Sequence, residues 1–404
     1  MIDRKEAAAR WRAELDAELK RILDFWIQQT PDEEYGGFVG EIRGDGTRTA
    51  GAEKGVVLNA RILWTFSSAY RIRGENVYLA MAERAYQALD ERFRDRVHGG
   101  LFWTVDEAGR PVRDKKQVYG QAFAIYALSE YVRASAPRAG EALEWAKQLY
   151  LLLEKHAYDP VHLGYVEALA RDWTETEDFS LSGKDLNERK SMNTHLHVLE
   201  AYTNLYRVWK PAGLRARLTE LIDVHLDRIL DPAAFRFRLF FDGEWNAKSG
   251  PISYGHDIEG SWLLCEAAET LGDEARIERV DRAAVAMAEA ALAEGVDPDG
   301  GMRNESGVDG HGDDAKDWWP QAEAMVGFLN AFRLSGDGRF WDAALASWRF
   351  IERYVVDREN GEWFWQVSRE GIPNRALPKA GLWKCPYHNS RACMEAMERL
   401  SRYS

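Results

Sequence analysis

The sequence predicts an all-α chain folded as an (α/α)6 barrel, six helical hairpins closed into a ring with short β-hairpins at one end. Three observations carry that expectation. Gly-containing, aromatic-rich segments recur at nearly even spacing. Two helix-patterned stretches separate each from the next. The last helical stretch opens on a polar run, Trp383-Lys-Cys-Pro-Tyr-His388, where an open solenoid would need a capping repeat.

The recurring segments are Tyr35-Gly-Gly-Phe38, His98-Gly-Gly-Leu-Phe-Trp103, His162-Leu-Gly-Tyr165, Phe235-Arg-Phe-Arg-Leu-Phe-Phe241, Asp299-Gly-Gly-Met302 and Asn360-Gly-Glu-Trp-Phe-Trp365. Their starts fall roughly 60 to 75 residues apart, a longer period than the commonest helical solenoids. Several run into a second turn signal: Gly44-Asp-Gly46, Asp106-Glu-Ala-Gly109, Asp242-Gly243 and Glu370-Gly371. Alternating apolar residues around such turns read as β-hairpins.

Between them, apolar residues recur at three- and four-residue intervals. One set of helices is expected over Leu58–Tyr70, Gln121–Val132, His195–Val208, Ile258–Leu271, Ala322–Leu334 and Asn389–Leu400. A second helix precedes each hairpin: Ala13–Trp26, Val77–Phe93, Ala142–His156, Leu214–Leu230, Ala275–Ala293 and Phe340–Tyr354. The first set is apolar nearly all round, as helices buried on most sides must be, and is assigned to the inner ring. No Pro-, Ser- or Gly-rich linker divides the chain, so residues 1–404 are read as one domain.

Composition narrows the function. Of 404 residues, 46% are hydrophobic and 29% charged, ample for a large core. The net charge of −13 argues against a nucleic-acid partner, since phosphate binding needs a basic surface. Three cysteines, Cys265, Cys385 and Cys393, fit a reducing compartment better than a disulfide framework. With no apolar leader and no run of about 18 apolar residues, the expectation is a cytoplasmic protein without a membrane partner. A monomer is expected.

The inner helices open with polar or aromatic residues that a core helix does not need. They are Asn59 and Arg61; Tyr119 and Gln121; Asn193, His195 and His197; His256 and Glu259; Trp319, Gln321 and Glu323; then Tyr387, His388 and Arg391. Equivalent positions in a barrel share one end, so a ring of polar groups around one mouth is expected, with a small-molecule pocket inside it. Asn193 and His197 are four apart and share a face, whereas His195 points roughly 200° away from His197. His197 is therefore placed in the cavity and His195 in the core. His256 with Glu259, His388 with Arg391, and Trp319 with Glu323 have same-face spacing. His98, His156, His162, His225 and His311 are read as structural. Trp319, Trp383 and Tyr119 suit stacking on a sugar face.

Other chemistries find no support. A His-x-His pair on a helix cannot place both imidazoles on one metal, and no His-Glu-x-x-His or Cys pair is present. Neither phosphate-loop fingerprint nor a G-x-S-x-G elbow occurs. No metal and no cofactor is expected.

At these residues the chain is similar to the N-acylglucosamine 2-epimerase superfamily, most closely its cellobiose 2-epimerase branch. The resemblance rests on Leu58–Phe66, Val118–Leu128, Ser191–Tyr202, Gly255–Leu264, Trp318–Glu323 and Trp383–Arg391. It implies an (α/α)6 barrel that interconverts gluco and manno configuration at C2 of a reducing-end aldose, such as a β-1,4 disaccharide. His256 and His388 match the general acid/base pair, and His197 a third active-site histidine. Arg61 and Tyr119 match groups that bind and polarise O1. Asn193 and Glu259 match hydrogen-bonding partners, with Glu259 orienting a histidine, and Glu323 is placed among the substrate-binding residues. Trp319 and Trp383 match sugar-stacking residues. Two departures are Cys385, where the family often has Gly, and Gly120, where a relative has Ala. A proton α to a carbonyl suits this set, because histidine titrates near neutrality and serves as acid or base.

Three alternatives remain at this level. An aldose–ketose isomerase or monosaccharide epimerase shares the enediolate. A glycoside hydrolase needs two carboxyl groups, for which Glu259, Glu323, Asp257 and Asp317 are candidates. A binding scaffold without turnover ranks last, because such a mouth is costly to desolvate. Lys184-Asp185 and Asn187-Glu188 are placed at a second sugar subsite.

Overall fold

The computed structural model describes residues 4–183, 186–307 and 313–403. His311, Lys184 and Asp185 lie outside the described residues. Among the described residues, twelve α-helices alternate between an outer and an inner ring. The outer helices are α1 (Arg4–Gln29), α3 (Asn76–Ala88), α5 (Ala139–His156), α7 (Ala212–Val224), α9 (Glu274–Gly295) and α11 (Gly338–Phe350). The inner helices are α2 (Val56–Arg73), α4 (Val118–Arg133), α6 (Met192–Val208), α8 (Tyr254–Leu271), α10 (Trp318–Ser335) and α12 (Tyr387–Ser401). Helices α3, α7 and α11 each widen into a π-helical turn, at Leu89–Phe93, His225–Ile229 and Ile351–Val355, just before their hairpins.

Burial separates the two rings. Every residue from Val56 to Ala69 of α2, and from Val118 to Tyr131 of α4, is buried. Alanines such as Ala60, Ala122, Ala124, Ala201, Ala267 and Ala322 let the inner helices pack closely. An outer helix buries one stripe: in α5 it is Ala142, Trp145, Ala146, Leu149, Tyr150 and Leu153. Each large apolar side chain so buried contributes about 1.5–3 kcal/mol.

Ring closure is written in short antiparallel pairings. The strand before an inner helix pairs with the strand after the next hairpin. Lys54–Gly55 meets Thr104–Val105, Lys116–Gln117 meets Ala168–Leu169, and Lys190–Ser191 meets Phe240–Phe241. Ile252–Ser253 meets Glu305–Ser306, and Lys316–Asp317 meets Gln366–Val367. A bridge between Ile42 and Ala380 completes the circle, where α12 packs on α1 and α2.

Each hairpin is held by a device the sequence reading did not anticipate. An Asp at its start accepts backbone N–H groups two and three residues on, as Asp95 does from Val97 and His98, and Asp159 from Val161 and His162. A lysine from the segment before the inner helix then reaches that Asp. Lys54 lies 2.6 Å from Asp32, Lys116 2.9 Å from Asp95, Lys190 2.9 Å from Asp159 and Lys379 2.6 Å from Asp357. Lys316 takes Asp299 at 2.8 Å. The fourth sector has Ile252 at the lysine position, and Arg238 pairs with Asp231 instead.

Candidate active site

Helical rotation sorts the first turns of the inner helices into two faces. Gln121, His195, Asp257, Gln321 and Asn389 face outward to the hairpins. Gln121 accepts from Leu101 N and donates to Leu101 O, both at 2.9 Å. Gln321 repeats this at Met302, at 2.7 and 2.8 Å. His195 Nε2 accepts from Tyr165 N at 2.9 Å, and Asp257 from Phe237 N at 2.8 Å. Asn389 works through Glu362, whose carboxylate also takes Trp363 N. Asn59 donates to the carbonyl of Gly55, the residue just before its own helix. The hairpin must come very close for this. At Gly164, φ is +79° and a Cβ would sit 2.5 Å from His195 Nε2, so only glycine fits.

Two residues further on, about 200° round the helix, stand Arg61, Phe123, His197, Glu259, Glu323 and Arg391. The expected ring of polar groups is therefore thinner at the mouth. Asn59, Gln121 and Gln321 are turned away, because a residue two positions from an axis-facing one lies on the opposite face. His195, placed in the core by the same rule, is fully buried.

Arg391 organises the axis. Its guanidinium donates to Glu259 Oε1 at 2.6 Å and Glu323 Oε1 at 2.7 Å, and it also bonds Glu200 and the Tyr387 hydroxyl. Glu323 accepts in addition from Trp262 Nε1 at 3.0 Å and bonds His388 Nδ1 at 2.7 Å. Glu259 lies 3.9 Å from that nitrogen. The carboxylate on His388 is thus Glu323 and not Glu259, which is held off at Arg391. Both glutamates are buried below the mouth. Burial and the neighbouring Glu323 push the Glu259 carboxyl up.

Three histidines surround this centre. His197 Nδ1 lies 2.9 Å from Glu200, and its ring touches Tyr119 and Phe123. His256 Nδ1 lies 2.7 Å from Ser253 Oγ. The Trp319 ring sits between His256 and His388, with centroids 4.7 and 5.7 Å away. Burial holds all three imidazoles below the usual histidine range, His256 down to about 3, so they are neutral at neutral pH. His256 and Asn193 share a cavity of about 200 Å³ with Phe179, Leu186, Glu188 and Glu305. Asn193 Oδ1 is buried there without a partner.

Arg61 is the exception among these charges. Its Nη2 donates to the Tyr119 hydroxyl at 2.9 Å, and its Nη1 lies 3.5 Å from the Trp383 carbonyl and 3.8 Å from Cys385 Sγ. The rings of Phe123 and Tyr387 cover its faces at 4.3 and 4.9 Å. Among the described residues no carboxylate pairs with it, and its Nε has no partner. Trp383 stands beside Tyr119, 5.8 Å between centroids.

Glu259, Glu323 and His388 bring ligand atoms within 4.8 Å of one another. Arg391 already bonds one oxygen of each carboxylate, so a cation among them would compete with the guanidinium. The same contacts remove the carboxyl groups a hydrolase would need. Glu259 and Glu323 are tied to Arg391, Asp257 is turned to Phe237, and Asp317 accepts from Gln366. Sequence reasoning missed Ser253 and Glu200. Glu200 follows His197 by three residues, the spacing that already singled out other pairs.

Among the described residues no helix is long and apolar enough to cross a membrane. A family model for N-acylglucosamine 2-epimerase matches residues 36–392. The cellobiose 2-epimerase of Bacteroides fragilis is 47% identical over 388 residues, covering 96% of this chain and 98% of that protein. The solved structure of cellobiose 2-epimerase from Bacillus thermoamylovorans superposes with a TM-score of 0.90 at 40% identity, covering 98% of this chain and 99% of that one. A glycoside hydrolase family 76 mannosidase from Bacteroides thetaiotaomicron shares the fold alone, with a TM-score of 0.65 at 12% identity over 96% of this chain and 99% of that one. The chain belongs to the N-acylglucosamine 2-epimerase family.

Proposed function

We propose that this enzyme is a carbohydrate 2-epimerase of the cellobiose 2-epimerase type, inverting C2 of the reducing-end unit of a β-1,4-linked disaccharide. One observation carries the reading: two neutral imidazoles, His256 and His388, flank Trp319 beside a buried guanidinium, Arg61, that has no counter-charge. Removing a proton from C2 of an open-chain aldose leaves an enediolate whose oxygen carries charge. Arg61, with Tyr119 beside it, supplies the positive charge that oxygen needs, in a desolvated site where it acts most strongly. Inversion needs a base on one face of C2 and a proton donor on the other. Glu323 accepts the Nδ1 proton of His388 and leaves Nε2 as the base; the assignment of His388 to the gluco epimer and His256 to the manno epimer rests on the family resemblance. His197, held by Glu200, contacts the sugar from the Tyr119 side. Trp319 and Trp383 stack on sugar faces. The apolar side chains Phe179, Leu181, Leu186 and Leu239 around the cavity give room for a second sugar. The enzyme acts as a monomer and needs no metal.

Incubation with cellobiose, glucose and mannose in D2O, with product analysis by NMR, tests this directly. Cellobiose should yield its C2 epimer carrying deuterium at C2. His256→Ala and His388→Ala should each lose net epimerisation by about 10²–10⁴-fold. Near wild-type epimerisation by either variant sinks the two-histidine reading.

A further inference from the structure

Three carboxylates share one guanidinium on the barrel axis. Arg391 bonds Glu200, Glu259 and Glu323, and all three are buried. Like charges gathered in a desolvated site push one of their number to keep its proton. The hydrogen bonds show which one.

Glu323 receives three donors: Arg391 at 2.7 Å and His388 Nδ1 at 2.7 Å on Oε1, and Trp262 Nε1 at 3.0 Å on Oε2. Glu200 also receives three, from Arg391, the Tyr387 hydroxyl and His197 Nδ1. Donors on both oxygens favour the ionised form. Glu259 receives one, from Arg391 at 2.6 Å on Oε1, and among the described residues its buried Oε2 has no partner. The proton therefore belongs on Glu259, and on Oε2, the oxygen the guanidinium leaves free. A buried hydroxyl without a partner costs less than a buried charge without one. Burial, Glu323 and Glu200 push this carboxyl up, and Arg391 pulls the other way. From α12, Tyr387 and His388 also face it, and from α4 so does Tyr119. From α2, Arg61 covers the Tyr387 ring.

We propose that Glu259 rests as a neutral carboxylic acid, protonated on Oε2, and is a positioning residue that keeps His388 free to act as the base. This rests on the assignment of His388 as an acid/base group. A second anion 3.9 Å from Nδ1, added to Glu323 at 2.7 Å, would draw a proton onto the imidazole before any sugar arrived. With Glu259 uncharged, one carboxylate backs His388, and burial with Arg61 and Arg391 keeps the ring neutral. In the step itself the C2–H bond breaks, its electron pair stays in the enediolate, and Nε2 takes the proton. The imidazolium so formed keeps its Nδ1–H on Glu323. In reverse, Nε2 returns the proton to C2 and the ring is neutral again. Glu259 keeps its own proton throughout.

The test uses Glu259→Gln, Glu259→Asp and His388→Ala in the full-length enzyme. The infrared difference spectrum of wild type minus Glu259→Gln at pH 7 should show the C=O stretch of a neutral carboxyl, shifted in D2O, with no ionised carboxylate lost. Glu259→Asp keeps a carboxyl on a shorter arm. It should shift that band and not abolish it, and it supplies the reading if the amide variant does not fold. Wild-type kcat should fall about tenfold or more toward high pH as Glu259 ionises, because a second anion beside His388 opposes charge on the enediolate. Glu259→Gln should lack that fall, whatever its kcat at pH 7. A difference spectrum showing a carboxylate lost and no neutral carboxyl overturns the proposal, and so does an alkaline fall of the same size in both enzymes. A His388→Ala enzyme that still epimerises would instead overturn the assignment on which the proposal rests, and would leave the Glu259 band in place.

Discussion

Arginines stand at both ends of the barrel, in opposite circumstances. At the foot, the last turns of the inner helices carry Arg71, Arg133, Arg207, Arg333 and Arg399. They line a cavity of about 290 Å³. Cations there complement the negative ends of the helix dipoles. Each also has a carboxylate: Arg71 and Arg133 share Glu130, Arg207 takes Glu266, Arg333 takes Glu269 and Arg399 takes Glu395. At the mouth, Arg61 has a phenol, a carbonyl, a thiol and two aromatic faces. An arginine cannot discharge itself, so a buried one without an anion waits for charge from elsewhere. Compensation separates a cavity that is structural from one poised for a developing oxyanion.

The largest effect should follow removal of the uncompensated charge. Arg61→Ala is expected to lower kcat by about 10²–10³-fold, as for loss of an oxyanion donor, with stability little changed because no ion pair is broken. A loss confined to KM would make Arg61 a uniform binding group and erase the contrast between the two ends.

Asp257 sharpens the comparison, because among the described residues it too makes no ion pair and yet it is buried facing a hairpin. Its Oδ1 accepts from Phe237 N, and its Oδ2 has no partner. An aspartate has an escape that arginine lacks: burial pushes its carboxyl up to about 7, so it is largely protonated in mildly acid solution. A carboxyl raised on folding gives stability that is full below its unfolded value, about 4, and is lost as pH rises through its folded value. Wild-type stability should therefore fall on the order of 3 kcal/mol between pH 4 and pH 7 from this group. Asp257→Asn should flatten that slope, gaining over wild type at pH 8 and not at pH 4. Gln121 and Gln321, at the equivalent positions, show that a neutral amide fits. Urea midpoints that differ from wild type by the same amount at both pH values would refute the neutral carboxyl.

Much of this was legible in the sequence, for reasons visible in particular residues. The helices came through because the outer ones bury a clean stripe and the inner ones bury almost everything. His197 was separated from His195 by rotation alone. The same rotation, applied from Gln121 to Phe123 and from Gln321 to Glu323, would have taken both glutamines out of the expected ring. What could not be read was contact between sectors. The Lys–Asp clamps join residues of different sequence spacing, 22 residues between Asp32 and Lys54 and 31 between Asp159 and Lys190. The choice of Glu323 over Glu259 for His388 depends on which of two axis-facing carboxylates Arg391 leaves nearer, and no periodicity encodes that.

The smallest effect belongs to the foot, and it decides whether that cavity is only structure. Arg207 and Glu266 approach to 2.6 Å with a quarter of each side chain exposed, and Arg207 also reaches the Thr270 hydroxyl at 3.2 Å. Burial alone would raise the Glu266 carboxyl, but Arg207 holds it below the usual range. A depressed carboxyl contributes stability above its unfolded value that is lost as pH falls. Arg207→Ala should therefore destabilise by about 1–2 kcal/mol at neutral pH, between an exposed pair and a fully buried one, with a smaller difference near pH 3. A double-mutant cycle with Glu266→Ala should return a coupling of about 1 kcal/mol. Both kcat and KM for the epimerised sugar should match wild type, because every foot arginine already has its anion. A fall in kcat with the fold intact would mean that the paired end of the barrel communicates with the mouth, and charge compensation would no longer distinguish the two.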